Sequence, residues 1–376
     1  MSPDRMSLDS LECLADKGRS LFVGGRFNDT GGRPSKIAHQ VFESLRNLRT
    51  AYINGGYYSL LEKILRDAKE YKIIYWFADV PNDKPKLVSR IKAMNKECIL
   101  VTSKRNVENQ YAFADLIHRA LEIKSNLVVE LSQRKETYYG RIIDPLGNVF
   151  LDYDADFGKL GDVLKKRVAQ LVSYQRIPSQ SIGKEIDVPD EKEFFSIIRN
   201  YAEVFHQLIH PHPDAANRFF GNASFRCECG FPSFRAEEII YVSRRNVDKR
   251  VIDKDAFVAV EMGLPVKYHG LNKPSVDTPI QLELYDYYSS IRYIMHSHTY
   301  VADAPFTKQI LPCGAIEEAD EIKSLFTDRA LNNFSVNLKG HGSLVLVDKV
   351  EKLRNINYIA RNMPELVVGY AESKSS

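Results

Sequence analysis

Ser20-Leu21-Phe22-Val23-Gly24-Gly25-Arg26-Phe27-Asn28-Asp29-Thr30-Gly31-Gly32-Arg33-Pro34-Ser35-Lys36 reads, in order, as a β-rich run, a glycine-rich loop and the opening of a helix. The strand is expected over Ser20–Val23, the loop over Gly24–Pro34 and the helix over Ser35–Leu48, where Ile37, Val41, Phe42 and Leu45 fall on one face. The alternation continues with β runs at Thr50–Ile53, Lys72–Phe77, Cys98–Thr102 and Leu127–Leu131, separated by helical patterns at Tyr58–Lys69, Pro85–Met94 and Ala112–Ile123. Five β runs joined by four crossovers of helical length predict a parallel sheet covered on both faces, because parallel neighbours cannot be joined by a tight turn. The expected fold class for this half is a doubly wound, Rossmann-like α/β domain.

Outward from that block, Arg141–Tyr153 holds two short strand-like runs around Asp144-Pro145-Leu146-Gly147-Asn148, a hairpin signal, and Gly161–Tyr174 reads as a closing helix. Pro178, Ser179, Ser181, Gly183, Pro189 and Asp190 then collect within Ile177–Asp190, the expected boundary between domains at 19–176 and 190–370. The second domain opens with an amphipathic helix at Glu191–His210. It continues as short strands at Glu238–Ser243, Ala256–Val260, Ile291–His296, Ser335–Leu338 and Leu344–Val347, with helices near Thr278–Tyr288 and Ile316–Phe326. That pattern predicts an α/β unit around a largely antiparallel sheet.

Lysine and arginine number 52 against 49 aspartates and glutamates, so the net charge of +3 carries no nucleic-acid footprint or polybasic anchor. The longest apolar runs, such as Lys72–Val80 and Ser343–Val347, fall far short of the ~20 residues of a membrane span. Neither nucleic acid nor membrane is therefore an expected partner. The acidic stretch Met1–Gly18 fits neither a signal nor a transit peptide, and five cysteines in so long a chain suit a reducing compartment, so a cytoplasmic address and free thiols are expected. In the first domain, Gly24–Arg33, Asn54-Gly55-Gly56, Asp79–Asp83 and Thr102–Asn106 converge at strand C-termini, where open α/β sheets bind ligands. A nucleotide or phosphate is the expected class of ligand, although the Gly-x-Gly-x-x-Gly and Walker spacings are absent.

His296 and His298 end the run Ile291-Arg292-Tyr293-Ile294-Met295, and a spacing of two on a strand puts both rings on one face. His341 lies between Gly340 and Gly342 after another strand-like run. Three neutral imidazoles with one open position describe a catalytic zinc site, while the residues alone also permit ordinary hydrogen-bonded strand histidines.

Further stretches bear on that choice. Phe220–Arg226, Lys273–Pro279, Leu284-Tyr285, Met295–Thr299, Leu311–Gly314 and Lys339–Gly342, in this order across about Phe194–Pro364, resemble the class II aldolase and adducin-head family. The resemblance implies a lyase or epimerase dependent on zinc or another divalent metal and acting on a sugar phosphate, such as L-fuculose-phosphate aldolase or L-ribulose-phosphate 4-epimerase. It implies a homo-oligomer, with a tetramer favoured. It puts His296, His298 and His341 on the metal-ligand positions and Asp277 on the catalytic carboxylate. Gly221, Asn222, Ser224, Ser243 and Ser275 fall on or near the segments that hold the substrate phosphate. Cleaving a carbon–carbon bond beside a carbonyl passes through an enediolate, whose charge a divalent ion stabilises while a carboxylate moves the proton. An aldolase is the expected activity, an epimerase uses the same site, and a non-catalytic adducin-like scaffold is the third alternative. As the residue before Thr278, Asp277 also admits the structural role of a helix N-cap.

Val242-Ser243-Arg244-Arg245-Asn246 departs from the family's phosphate loop by losing a glycine and gaining two guanidiniums, which suit a bidentate anion contact. Val276 stands where the family has a second serine. Tyr358 and Tyr370 are candidates for the tyrosine that relatives place late in the chain, and Asp320 lies near the epimerase branch's second acid/base position. His206, His210 and His212 read as an ordinary helix end, and Cys227 with Cys229 lacks the second cysteine pair of a zinc finger.

Overall fold

A computed structural model describes residues 20–45, 50–84, 87–107, 110–175, 177–209, 221–226 and 239–361. The chain divides into two compact units, one ending at Ser173 and the other beginning at Tyr174. No helix among the described residues is long and apolar enough to cross a membrane.

The first unit runs β1 (Ser20–Asn28), α1 (Lys36–Ser44), β2 (Thr50–Tyr57), α2 (Tyr58–Arg66), β3 (Ile73–Asp79), α3 (Val88–Met94), β4 (Ile99–Val107), α4 (Phe113–Ile123), β5 (Leu127–Arg134), β6 (Thr137–Ile143), β7 (Val149–Asp154) and α5 (Phe157–Ser173). These strands form one sheet in the order β2-β1-β3-β4-β5-β6-β7. β1 to β5 are parallel, and β6 and β7 add antiparallel edges, as the hairpin signal predicts. Burial of every residue from Ile73 to Phe77 follows from helices on both faces. On one face Leu21, Val23, Trp76 and Leu100 pack against Leu61, Leu65 and Ile91.

Several strands run further than the sequence suggests. β1 passes through Gly24 and Gly25 to Asn28, with a shift of register against β2 between Gly24 and Phe27 and a fully buried Phe27 ring. The expected glycine loop is correspondingly shorter, and it closes on itself. Arg26 N–H donates to the Arg33 carbonyl at 2.9 Å, and Gly32 N–H donates to the Gly56 carbonyl at 2.8 Å.

The second unit comprises β8 (Ser179–Ser181), α6 (Lys192–Ile209), β9 (Asn222–Phe225), β10 (Ile239–Ser243), β11 (Phe257–Glu261), β12 (Val266–Tyr268), α7 (Thr278–Tyr287), β13 (Tyr293–Ser297), β14 (Tyr300–Val301), α8 (Glu317–Leu325), β15 (Asn333–Leu338), β16 (Gly342–Val347) and β17 (Tyr358–Ile359). Its main sheet has the order β15-β16-β13-β9-β10-β11-β12-β8, antiparallel throughout except where β8 joins β12. β14 and β17 pair separately. Phe194 and Phe195 of α6 pack on one face with Phe225, Phe257 and Tyr293, while Leu284, Tyr285 and Ile322 of α7 and α8 cover the other. β8 lies inside the stretch read from sequence as a linker. β9 escapes a hydropathy reading because half of Asn222-Ala223-Ser224-Phe225 is polar; the sheet accepts it because Ser224 bonds to the Tyr285 hydroxyl and Asn222 to Asp277.

β16 starts at Gly342 in close contact with the end of β13: a Cβ there would lie 1.9 Å from the Ser297 carbonyl oxygen and 2.8 Å from the His298 Cα. Gly342→Ala must push the two strand ends apart. It is expected to cost about 1–3 kcal/mol, as overpacking typically does, seen as an earlier urea midpoint with an unchanged slope. An unchanged midpoint would contradict this close approach.

Candidate metal centre

The end of β13 carries His296, and His298 follows just beyond it. In the antiparallel register His296 faces Asn222 on β9 and Leu344 on β16. Backbone crowding makes glycine necessary just before β9. Gly221 has φ +79°, and a Cβ on it would approach the His296 carbonyl oxygen to 2.5 Å. His341 occupies the turn from β15 to β16, its N–H donating to the Leu338 carbonyl at 2.9 Å.

This arrangement brings the three rings together. Centroids of His296, His298 and His341 are 4.8–5.2 Å apart, all three side chains are buried, and a nitrogen from each lies within 4.8 Å of the others. Two tautomers follow from the partners. His296 Nδ1 lies 2.9 Å from the Ser343 carbonyl, which can only accept, so Nδ1 carries the hydrogen and Nε2 presents a lone pair. His341 Nδ1 lies 2.9 Å from Glu318 Oε1, which likewise turns Nε2 toward the other rings. His296 Nε2 is buried without a hydrogen-bond partner. An orphaned imidazole nitrogen beside two further rings is a donor set suited to a divalent ion, and the triad could hold one.

Electrostatics agree. Burial, then the neighbouring His341, pushes the His296 imidazole down to about 4. Burial, then His341 and His296, holds His298 well below its ordinary value. Both rings are therefore neutral, the form that binds metal, at neutral pH. Burial also opposes charge on His341, but Cys313, whose Sγ is 3.2 Å from Nε2, and Glu318 outweigh it and raise that imidazole well above its ordinary value. The His341 Nε2 proton and a metal ion compete for one lone pair.

Asp277 directly precedes α7, yet its side chain makes no capping hydrogen bond. Instead Oδ2 accepts from Asn222 Nδ2 at 2.7 Å, lies 3.9 Å from His296 Nε2, and is 3.4 Å from the Ser275 hydroxyl. Gln281 of α7 in turn donates to Asn222 Oδ1. Asp277 Oδ1 is buried without a hydrogen-bond partner. Gly221, Asn222, Ser275 and Asp277 thus lie beside the imidazoles. Ser224 and Ser243 are fully buried in the sheet: Ser224 bonds to Tyr285, and Ser243 Oγ accepts from Ala223 N–H at 3.1 Å.

Sequence reasoning named Asp320, whose side chain is 75% exposed and ion-paired with Lys323. The carboxylate that reaches the site is Glu318, two residues earlier and so on another side of α8. Cys313 and Lys249 were also missed as participants. Lys249 is buried, and burial pulls its ammonium down to about 8 although Asp248 and Asp277 partly offset it. Only the Leu311–Gly314 motif pointed to Cys313, and nothing in the sequence pointed to Lys249. Tyr358 is buried against Tyr201 and Phe205. Tyr370, Cys227, Cys229, His210 and His212 lie outside the described residues, as does the side chain of His206.

Residues 200–360, within the second unit, match the model of the Class II Aldolase and Adducin N-terminal domain. A curated relative, methylthioribulose-1-phosphate dehydratase from Picosynechococcus sp., is 36% identical over 67 residues, 18% of this chain and 32% of that protein. The match therefore spans about a third of the relative's length. Among solved structures, the N-terminal Class II Aldolase domain of a conserved protein from Thermoplasma acidophilum is 17% identical, covers 54% of this chain and 100% of its own, and has a TM-score of 0.32. L-fuculose-1-phosphate aldolase from Thermus thermophilus is 13% identical over 48% of this chain and 96% of its own, with a TM-score of 0.27. The DNA/pantothenate metabolism flavoprotein from Streptococcus pneumoniae is 9% identical over 40% of this chain and 98% of its own, with a TM-score of 0.32.

The buried Glu318–His341 pair makes a stability prediction for chelator-treated protein. Glu318→Ala leaves a buried imidazolium without its carboxylate and is expected to cost about 3–5 kcal/mol, read from urea unfolding. Wild-type stability in that variant would mean that the pair carries no charge.

Proposed function

We propose that the second unit is a metal-dependent lyase acting on a sugar phosphate, with aldol cleavage as the reaction. The observation that carries this reading is the convergence of three buried imidazoles beside a carboxylate with one oxygen unpartnered. His296, His298 and His341 hold the ion, zinc in this reading. When bound, it supplies a Lewis acid for negative charge developing on substrate oxygens. Asp277 is the general acid/base. Asn222, itself fixed by Gln281, and Ser275 orient its Oδ2, which leaves Oδ1 to take a proton from the substrate and return it. Glu318 and the Ser343 carbonyl keep two rings in the donor tautomer.

Gly221, Ser275 and the exposed Arg245 are our choice for the substrate's phosphate. Arg245 directs Nε to the Pro274 carbonyl at 2.9 Å, and Asn222 is committed to Asp277. Ser224 and Ser243, by contrast, tie the sheet together. The curated relative's name favours a second reading, loss of water from a phosphorylated sugar, in which the proton first removed is on the carbon beside the carbonyl rather than on the hydroxyl that aldol cleavage deprotonates. We further propose, from the family resemblance, a homo-oligomer of cytoplasmic address.

Purified protein supplemented with zinc is expected to retain about one equivalent per chain. His298→Ala should lose the metal while keeping its circular dichroism. L-fuculose 1-phosphate and methylthioribulose 1-phosphate, tested side by side, separate cleavage from dehydration. Asp277→Asn should keep the metal and lose roughly 10²–10⁴-fold in kcat. Protein that binds no divalent ion would favour a non-catalytic scaffold.

A further inference from the structure

The first unit has a ligand-sized cavity of its own at the C-terminal ends of β3 and β4. Its volume is about 340 Å³, and its walls come from Trp76–Asp79, the 80–84 loop, the start of α3, Ser103–Arg105, Tyr111 and Arg119 of α4. The position is chemically suggestive. From β1 the chain goes to β2 on one side and then returns to β3 on the other, and open α/β sheets take ligands outside the strand C-termini near such a reversal.

Four cations line the cavity: Lys84, Lys104, Arg105 and Arg119. Lys84 is neutralised by Asp29 at 2.5 Å. Among the described residues the other three have no carboxylate within ion-pair distance. The Lys104 ammonium sits 3.8 Å from the Tyr111 ring centroid, Arg105 donates to the Ser35 hydroxyl at 2.5 Å, and the Arg119 Nε is buried without a hydrogen-bond partner. Asp79 is the one acidic residue among those lining the cavity. Three cations gathered around a concave space repel one another, and an anion there relieves the repulsion while taking up the free N–H groups. The glycine-rich segment that ends β1 and follows it is less suited to that task, because the Arg26 amide in the strand and the Gly32 amide in the loop already bond to backbone carbonyls.

We propose that this cavity binds a phosphorylated small molecule, its phosphate oxygens held by Lys104, Arg105 and Arg119 and its remainder lying toward Trp76 and Tyr111. The volume falls at the lower end of small-molecule sites, large enough for a phosphorylated metabolite. The inference does not depend on the metal centre of the second unit.

Trp76 is the chain's one tryptophan, so its fluorescence in the full-length protein reports on this cavity directly. Inorganic pyrophosphate and ATP, titrated separately at constant ionic strength, should each give a saturable change. Equal affinities identify the phosphate oxygens as the whole recognition element, and tighter ATP binding adds the organic part. Lys104→Gln should weaken binding about tenfold, in keeping with one charge-assisted hydrogen bond. The Lys104→Gln/Arg119→Gln variant should abolish binding, with thermal unfolding checking that each variant is folded, while His298→Ala should bind like wild type. Failure of both ligands to change the fluorescence beyond sodium chloride, or undiminished affinity in folded Lys104→Gln, would overturn the proposal.

Discussion

Burial of three imidazoles against one another is the constraint around which the second unit is organised. Each ring gives up hydration, and an unpaired polar nitrogen away from water is costly. The structure limits that cost by giving Nδ1 of His296 and of His341 a fixed acceptor, the Ser343 carbonyl in one case and the Glu318 carboxylate in the other. What remains uncompensated is the lone pair of His296 Nε2, buried without a hydrogen-bond partner beside the other two rings. A shared cation resolves that condition with one species, whereas separate protons would place like charges about 5 Å apart.

The backbone must meet this demand before any side chain can. Gly221 lets β9 approach the His296 carbonyl, and Gly342 lets β16 approach Ser297 and His298. The resulting register sets Asn222 opposite His296, and Asn222 then reaches Asp277 at the start of α7. Gln281, one turn into the same helix, completes the line. Asp277 is thus positioned by the sheet rather than used as a cap, which explains why a residue so favourable for N-capping makes no capping bond.

Much of this was legible in the sequence, for reasons that differ by element. The first unit's parallel sheet could be read because long crossovers and apolar β runs are dictated by strand direction and two-sided burial. His296 and His298 share a face through the two-residue period of a strand, which needs no tertiary information. Glu318 could not be separated from Asp320 in the same way. Helical spacing puts the two on different sides, but only the docking of α8 decides which side faces His341. β9 stayed hidden because its polar half is satisfied by Tyr285 and Asp277, both more than 50 residues away in the chain. Lys249 was invisible for a related reason: a buried lysine in a polar stretch looks like any surface lysine.

The cationic cavity of the first unit extends the same lesson from hydrogen bonds to charge. Lys104, Arg105 and Arg119 sit among ordinary polar residues, and the chain's balance of 52 basic to 49 acidic residues hides any local excess. Parallel pairing of β3 with β4 aligns their C-terminal ends, and α4, in the crossover from β4 to β5, brings Arg119 to the same cavity. Local charge is therefore a product of topology. A sum over the sequence says nothing about a three-charge cluster in a cavity of about 340 Å³, where neighbouring cations act together on an incoming anion.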